Sequence, residues 1–191
     1  SKLLVVEKSD REDGKVFLNV YETAENQKAK DEFAKRNKEI LQADPLDIVD
    51  AEPLVFNKKR LHQLNQINGK GIRHPRWRSD DEILFIASTT DSLGALHQDL
   101  FSWKLSSDTV TQLSQGLNLR RFDIAGDQET VIAERNRFGQ SSLVRLNLAN
   151  SLTESALEPL IEGGMSTSFD FPRFNPTDTG QLAYLARQAN Q

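Results

Sequence analysis

Three arginines occupy the same position of a recurring motif, and their chemistry suits the binding of an anion. Arg76, Arg121 and Arg173 each stand directly before an aromatic residue, in PRW, RRF and PRF. Side chains alternate across a strand, so arginines in one repeated position point the same way in successive sheets. They would bind a carboxylate or a partner peptide, or pair with turn carboxylates of neighbouring sheets. The second interpretation is favoured, because bidentate Arg–Asp pairing is common.

Histidines give weaker indications of a site. His62, His74 and His97 are the three histidines, and none belongs to an H-E-x-x-H motif or has metal-ligand spacing. His74 precedes a predicted strand and joins the arginines as a candidate for ligand or partner binding, although a structural or solvated histidine is the favoured interpretation. We therefore predict no metal site and no cofactor.

Motifs for catalysis do not emerge from the sequence. There is no cysteine and no G-x-S-x-G, and GGMSTS has the wrong arrangement for a nucleophile elbow. NGKG is interpreted as a turn, and SDREDG as a hairpin loop because its third and twelfth positions are not calcium ligands. Turn carboxylates such as Asp81, Asp127 and Asp178 would be spread apart by the repeat. The sequence predicts no catalytic residue.

Composition excludes several classes of partner. The 191 residues carry a net charge of −4, and no run of five like charges occurs. Nucleic-acid binding is therefore not expected. No apolar stretch has the length that a bilayer span requires, so no membrane span is predicted.

The repeat itself predicts the fold. Trp77, Phe122 and Phe174 lie 45 and then 52 residues apart, close to the length of a four-stranded propeller blade. A polar turn and an apolar run follow each aromatic: ILFIA, TVIA and QLAYLA. These runs do not alternate, so both faces of each strand should be covered, as they are in stacked blades. Leu84, Ile86, Val131, Ala133 and Leu185 are accordingly predicted to be buried.

A partial copy precedes these repeats. LLVVEKSDREDGKVFLNVYE matches the strand–loop–strand part of the motif, and KRLHQL would supply its missing last strand. Residues 24–57 then interrupt this copy. A stripe of Ala29, Phe33, Ile40 and Leu41 predicts a helix over about 25–41 that packs Phe33 and Ile40 on the sheet.

The repeated motifs resemble those of the TolB-like, WD-like propellers. The resemblance rests on WRSDDEILFIA, FDIAGDQETVIA and FNPTDTGQLAYLA, with SDREDGKVFLNVY and ERNRFGQSSLVRL as a second marker, and covers most of the chain outside 24–57. It implies an all-β fold: an incomplete β-propeller over residues 1–191, holding parts of three four-stranded blades, with a helical insertion or linker at 24–57. It also implies a periplasmic or extracellular bacterial protein.

The function expected on this basis is non-catalytic. The chain would be a propeller segment that mediates protein or ligand binding within a larger protein. The alternative is a regulatory propeller portion of a peptidase whose catalytic domain lies outside these residues. Because a repeat that breaks off would expose sheet edges, self-association through open edges is a further expectation.

Overall fold

A computed structural model describes residues 2–8, 15–25, 27–49, 56–65, 67, 71–164 and 166–188. The SDREDG loop and most of NGKG lie outside these residues. In chain order the elements are β1 (Lys2–Lys8), β2 (Val16–Glu25), α1 (Gln27–Ala43), β3 (Phe56–Leu64), β4 (Ile72–Trp77), β5 (Glu82–Thr90), β6 (Leu96–Lys104), β7 (Thr109–Gln112), β8 (Leu119–Ile124), β9 (Thr130–Arg137), β10 (Gln140–Asn147), β11 (Glu158–Glu162), β12 (Thr167–Asn175) and β13 (Asp178–Gln188), with a 3-10 turn at Glu154–Ala156.

The chain divides into two compact units. The first comprises Ser1–Glu7 and Leu18–Leu64, and the second Lys8–Phe17 and Asn65–Gln191. In the first unit β2 lies between β1 and β3, and β3 pairs antiparallel with β2 from Leu18↔Leu64 to Glu25↔Phe56. This confirms the prediction that KRLHQL returns to the N-terminal copy after the interruption.

The helix of the first unit matches its predicted span closely. Its predicted packing is matched only in part. It runs over Gln27–Ala43, two residues later at each end than expected, and stops before Pro45, which disfavours helix in the residue that precedes it. Phe33 and Ile40 are half-buried, no helical residue is fully buried, and Leu41 is exposed. Packing of this stripe on a sheet is therefore not confirmed. No helix in the described part of the chain is long and apolar enough to cross a membrane.

The second unit contains two four-stranded antiparallel sheets of identical strand order. One follows β4-β5-β6-β7 and the other β8-β9-β10-β11, so each sheet is a simple up-and-down meander. The first turn spans residues 78–81 in one sheet and 125–129 in the other, one residue longer, as the sequence repeat predicts. A two-stranded sheet, β12-β13, follows. With the N-terminal sheet, the described residues form four antiparallel sheets, whereas the sequence predicted parts of three blades.

Two apolar layers join the sheets of the second unit. The larger layer combines Leu84 and Ile86 of β5 with Val131 and Ala133 of β9, all essentially without solvent exposure. The smaller one combines Ile132 of β9 and Leu143 of β10 with Phe169 of β12. Neighbouring residues of β9 thus face different layers, and the middle sheet is covered on both faces. This accounts for its unalternated apolar sequence.

Leu185 is the exception to the predicted burial. It lies on β13 and is 53% exposed. Tyr184 beside it is also exposed, although its ring contacts that of Phe169 edge to face at 5.7 Å. The apolar run QLAYLA resembles ILFIA, but burial also requires a covering layer, and over most of β13 the described residues supply none. The prediction for Leu185 was wrong.

Buried Asp99 fixes the connection from the first four-stranded sheet to the second. Its carboxylate accepts hydrogen bonds from the hydroxyls of Thr89 (2.7 Å) and Ser114 (2.9 Å). The backbone N–H groups of Gly116 (3.1 Å) and Leu117 (3.2 Å) donate to it as well. Four donors satisfy a buried carboxylate, so this residue holds the β7–β8 crossover against β6.

Candidate functional site

The predicted arginines lie on the first strands of three consecutive sheets, each after a β-bulge. Pairing jumps by one residue just before Arg76, Arg121 and Arg173, so each first strand carries one extra residue at the same place. A bulge bends its strand and re-aims the side chains beside it. The repeat therefore places the three arginines at the same position relative to the bulge.

Two of these bulges contain a strained residue. His74 and Phe171 have φ of 51°, the left-handed region that non-glycine residues seldom adopt. A proline follows each of them, and then the arginine. β8 forms its bulge at Arg120, without a proline. The RRF copy of the motif therefore differs from the PRW and PRF copies in the backbone conformation of its bulge.

Arg76 pairs with the first strand of the next sheet. Its Nε lies 3.4 Å from Oδ1 of Asp123 on β8. The other oxygen of Asp123 accepts a hydrogen bond of 3.0 Å from the backbone N–H of Phe174 on β12. One carboxylate therefore connects β4, β8 and β12.

Arg121 of β8 likewise pairs with the first strand of the sheet that follows its own. Its guanidinium forms an ion pair with Asp170 of β12 and lies 3.7 Å from Oε2 of Glu134. The guanidinium carbon also stands 3.9 Å from the centre of the Phe171 ring, a cation–π contact. Glu134 is almost fully buried, and burial raises its pKa against the opposing effect of Arg120 and Arg121.

Arg173 occupies the third equivalent position but has different partners. Its Nη1 donates to the carbonyl oxygen of Pro172 (2.7 Å) and, at 3.4 Å, to that of Phe122. No carboxylate of the described residues lies within ion-pair distance of its guanidinium. Burial lowers the pKa of Arg173, the positive charges of Arg76 and Arg121 lower it further, and only Asp123 opposes them.

His74 stands in the field of the same three arginines. Its half-buried position lowers the pKa of the imidazole, and the charges of Arg121, Arg76, Arg73 and Arg173 add to the effect in that order. The structure thus brings all four candidate residues together in one cluster, which we call the arginine cluster: His74, Arg76, Arg121 and Arg173.

The cluster carries a surplus of positive charge. The charged groups that form these ion pairs or act electrostatically on His74 and Arg173 include five guanidinium groups and three carboxylates: Arg73, Arg76, Arg120, Arg121 and Arg173 against Asp123, Asp170 and Glu134. Two positive charges remain, while His74 favours its neutral form. An anion fits this balance better than a cation does.

The carboxylates that pair with the arginine cluster were not predicted from the sequence. Arg76 and Arg121 pair with carboxylates of neighbouring sheets, but these partners, Asp123 and Asp170, lie on strands and not in turns. The turn carboxylates act locally instead: Asp81 accepts from Ser106, and Asp127 from Glu129 and Thr130. Hydrogen bonds from Thr130 and Glu129 lower the pKa of Asp127. No sequence spacing signals the strand partners, because stacking of separate sheets brings them close.

His97 and the GGMSTS segment have structural explanations. His97 lies 3.0 Å from Asp91, and this hydrogen bond raises the pKa of the imidazole. In GGMSTS, a Cβ at Gly163 would meet the carbonyl oxygen of Ser141 at 2.1 Å. Glycine is therefore required where the chain passes β10 on its way to β12. Within the described residues, no three potential metal ligands converge.

A shallow cleft lies between the two four-stranded sheets. It encloses about 520 Å³ and is lined by Leu96 and Gln98 of β6 and by Arg120 and Phe138 of the facing sheet, among others. Phe138 is 91% exposed in the β9–β10 turn. Arg120 reaches from this cleft to Glu134, which also lies 3.7 Å from Arg121 of the arginine cluster.

Comparison with known proteins leaves the family open. No protein-family model matches the chain, and no curated protein matches it significantly. The resemblance to TolB-like propellers therefore stays a prediction that rests on the repeated motifs.

Proposed function

We propose that this chain is part of a TolB-like β-propeller that acts as a non-catalytic binding module for a protein or peptide partner. In such a fold each blade is a four-stranded antiparallel meander, and blades are arranged radially around a central channel. The sheets β4–β7 and β8–β11 have the blade strand order, and β12–β13 has its first two strands.

The observation that carries the proposal is the contact between first strands. β8 lies beside both β4 and β12, although no backbone ladder joins these strands. Radial blades bring successive first strands together in this way. The apolar layers on both faces of the middle sheet support the same arrangement.

The chemistry of the arginine cluster favours binding over catalysis. A guanidinium stays protonated in proteins and offers fixed donors, so it holds an anion without exchanging a proton. Arg76 and Arg121 are in turn held by carboxylates of the next strand. Such a preorganised cationic surface suits an acidic segment of a partner. The expected periplasmic or extracellular location belongs to the same proposal.

Selection of peptides from a random library on the purified chain tests this function. We expect enriched peptides that compete for one surface, shift the NMR signals of β4, β8 and β12, and remain intact after prolonged incubation, as mass spectrometry would show. Absence of any enriched peptide, or cleavage that disappears with a single substitution in the chain, would overturn the proposal.

A further inference from the structure

The repeated pairing of the arginine cluster leaves one member without its partner. Arg76 binds Asp123 on the next first strand, and Arg121 binds Asp170 on the strand after it. Arg173 stands in the same position of its own bulge, yet the described residues offer it only carbonyl oxygens. A carboxylate is thus the group that the pattern predicts beside Arg173.

Hydrogen bonds to two carbonyl oxygens fix the orientation of the Arg173 guanidinium. Both of its hydrogen bonds use Nη1. A guanidinium has five N–H donors, and no hydrogen bond from the Nε–Nη2 edge of Arg173 is formed with the residues that the structure describes. That edge matches the two oxygens of a carboxylate. The side chain is half-buried, and partial removal from water strengthens a charged contact.

We propose that Arg173, with His74 and Arg76 beside it, forms a binding site for a carboxylate group. The site takes either the C-terminal carboxylate of a peptide or an acidic side chain, since both present the same two oxygens. This inference rests on the proposed function, because it names the chemistry that the binding module recognises.

Binding should be coupled to protonation of His74. Four arginines, Arg73, Arg76, Arg121 and Arg173, disfavour the imidazolium in the free protein. A bound carboxylate offsets part of their charge, so the pKa of His74 rises on binding. By linkage, affinity for the carboxylate increases as the pH falls through the pKa of His74 in the complex.

NMR titration with succinate tests the site. The imidazole signal of His74 and the Nε–H signal of Arg173 are followed at constant ionic strength, with chloride replaced by succinate. We expect saturable shifts of both signals and a raised His74 pKa. Arg173→Gln should weaken binding about tenfold or more, because the bidentate contact is lost. Arg145→Gln is the matched control on β10 and should leave the affinity unchanged.

Arg173→Lys provides a second measurement should the glutamine variant fold poorly. Lysine keeps the positive charge but lacks the two parallel N–H donors of arginine. The affinity of this variant for succinate should therefore fall between those of the wild type and Arg173→Gln. Shifts that rise linearly without saturation, and equally in all variants, would overturn the carboxylate site.

Two peptides distinguish the sources of the carboxylate. One has a free C terminus and neutral side chains, and the other has an amidated C terminus and a single glutamate. If the peptide with the free C terminus competes with succinate, the site binds chain ends. If the peptide with the glutamate competes, the site binds acidic side chains. If neither peptide competes, the site does not bind a peptide carboxylate. Selected peptides that bind independently of Arg173 would contradict this inference while leaving the proposed function intact.

Discussion

Single carboxylates connect the three sheets of the second unit at their first strands. Asp123 binds Arg76 of the preceding sheet and the Phe174 backbone N–H of the following one. Asp170 binds Arg121 of the preceding sheet. These contacts join sheets that share no backbone ladder, so side chains at a few positions fix how the sheets lie beside one another. Asp99 performs a similar task at the crossover between the two four-stranded sheets.

Removal of the Asp123 carboxylate should loosen this connection. In Asp123→Ala the Arg76 guanidinium loses its ion pair, and the Phe174 N–H loses its acceptor. We expect the free energy of unfolding to fall by about 1–3 kcal/mol, the usual cost of leaving part-buried polar groups without partners. Urea denaturation measures the change. Asp47→Ala, at an exposed position, should stay within about 0.5 kcal/mol of the wild type; equal effects would contradict the role of Asp123.

Two histidines should give the protein opposite pH dependences. The His97 pKa is raised, so its stabilising contribution is complete below the unfolded-state pKa, about 6.5, and is lost as the pH rises through the folded-state pKa. The His74 pKa is lowered, so protonation of this imidazole destabilises the folded protein at low pH. This destabilisation disappears as the pH rises towards about 6.5.

Stability curves of two variants measure these contributions. Relative to His74→Gln, the wild type should gain stability as the pH rises to about 6.5. Relative to His97→Gln, it should lose stability above that pH. Unfolding by urea across this range provides both differences. Slopes of the same sign for the two histidines would show that one of the assigned environments is wrong.

Strands and turns followed the sequence repeat closely, whereas burial depended on neighbouring layers. The spacing of the Arg–aromatic marker predicted the first two strands of each copy, because each copy repeats the same local signals. Leu185 and Ile86 lie in similar apolar runs, yet only Ile86 is covered by another sheet. The position of Arg121 was predictable for the same local reason, but its partner Asp170 depends on the stacking of separate sheets.

Matched truncations test the layering. Leu146 of β10 is 1% exposed within the larger apolar layer, and Leu185 of β13 is 53% exposed. Leu146→Ala should lower the free energy of unfolding by about 2–5 kcal/mol, because it removes buried contacts and leaves a cavity. Leu185→Ala should change it by less than about 0.5 kcal/mol. Thermal denaturation followed by circular dichroism compares them; comparable losses would mean that β13 is covered.

At the scale of the whole molecule, the β12–β13 sheet has an unpaired edge among the described residues. Its strand β13 extends over Asp178–Gln188 and pairs only with β12 among the described residues. An exposed strand edge offers unpaired backbone groups to another strand. The sequence predicted such open edges from the interrupted repeat, although it indicated parts of three blades where the described residues form four sheets.

Self-association through this edge is the expected consequence. We expect the purified chain to form dimers or larger species at tens of micromolar, as light scattering would detect. Leu185→Lys should shift the population towards monomer, because a charged side chain on an edge strand opposes pairing. Leu46→Lys, at a 92% exposed position outside the strands, is the matched control and should not. A stable monomer with β13 ordered would refute self-association.

Methyl–methyl NOE spectroscopy on selectively labelled protein is the most direct test of the central claim, that the three sheets of the second unit stack face to face with their first strands side by side. The account predicts cross-peaks between the layers of β5 and β9, from Leu84 and Ile86 to Val131 and Ala133. It also predicts contacts from the methyl groups of Ile132 and Leu143 to the ring of Phe169. Cross-peaks confined to hydrogen-bonded neighbours within each sheet would contradict the stacked arrangement and, with it, the proposed propeller.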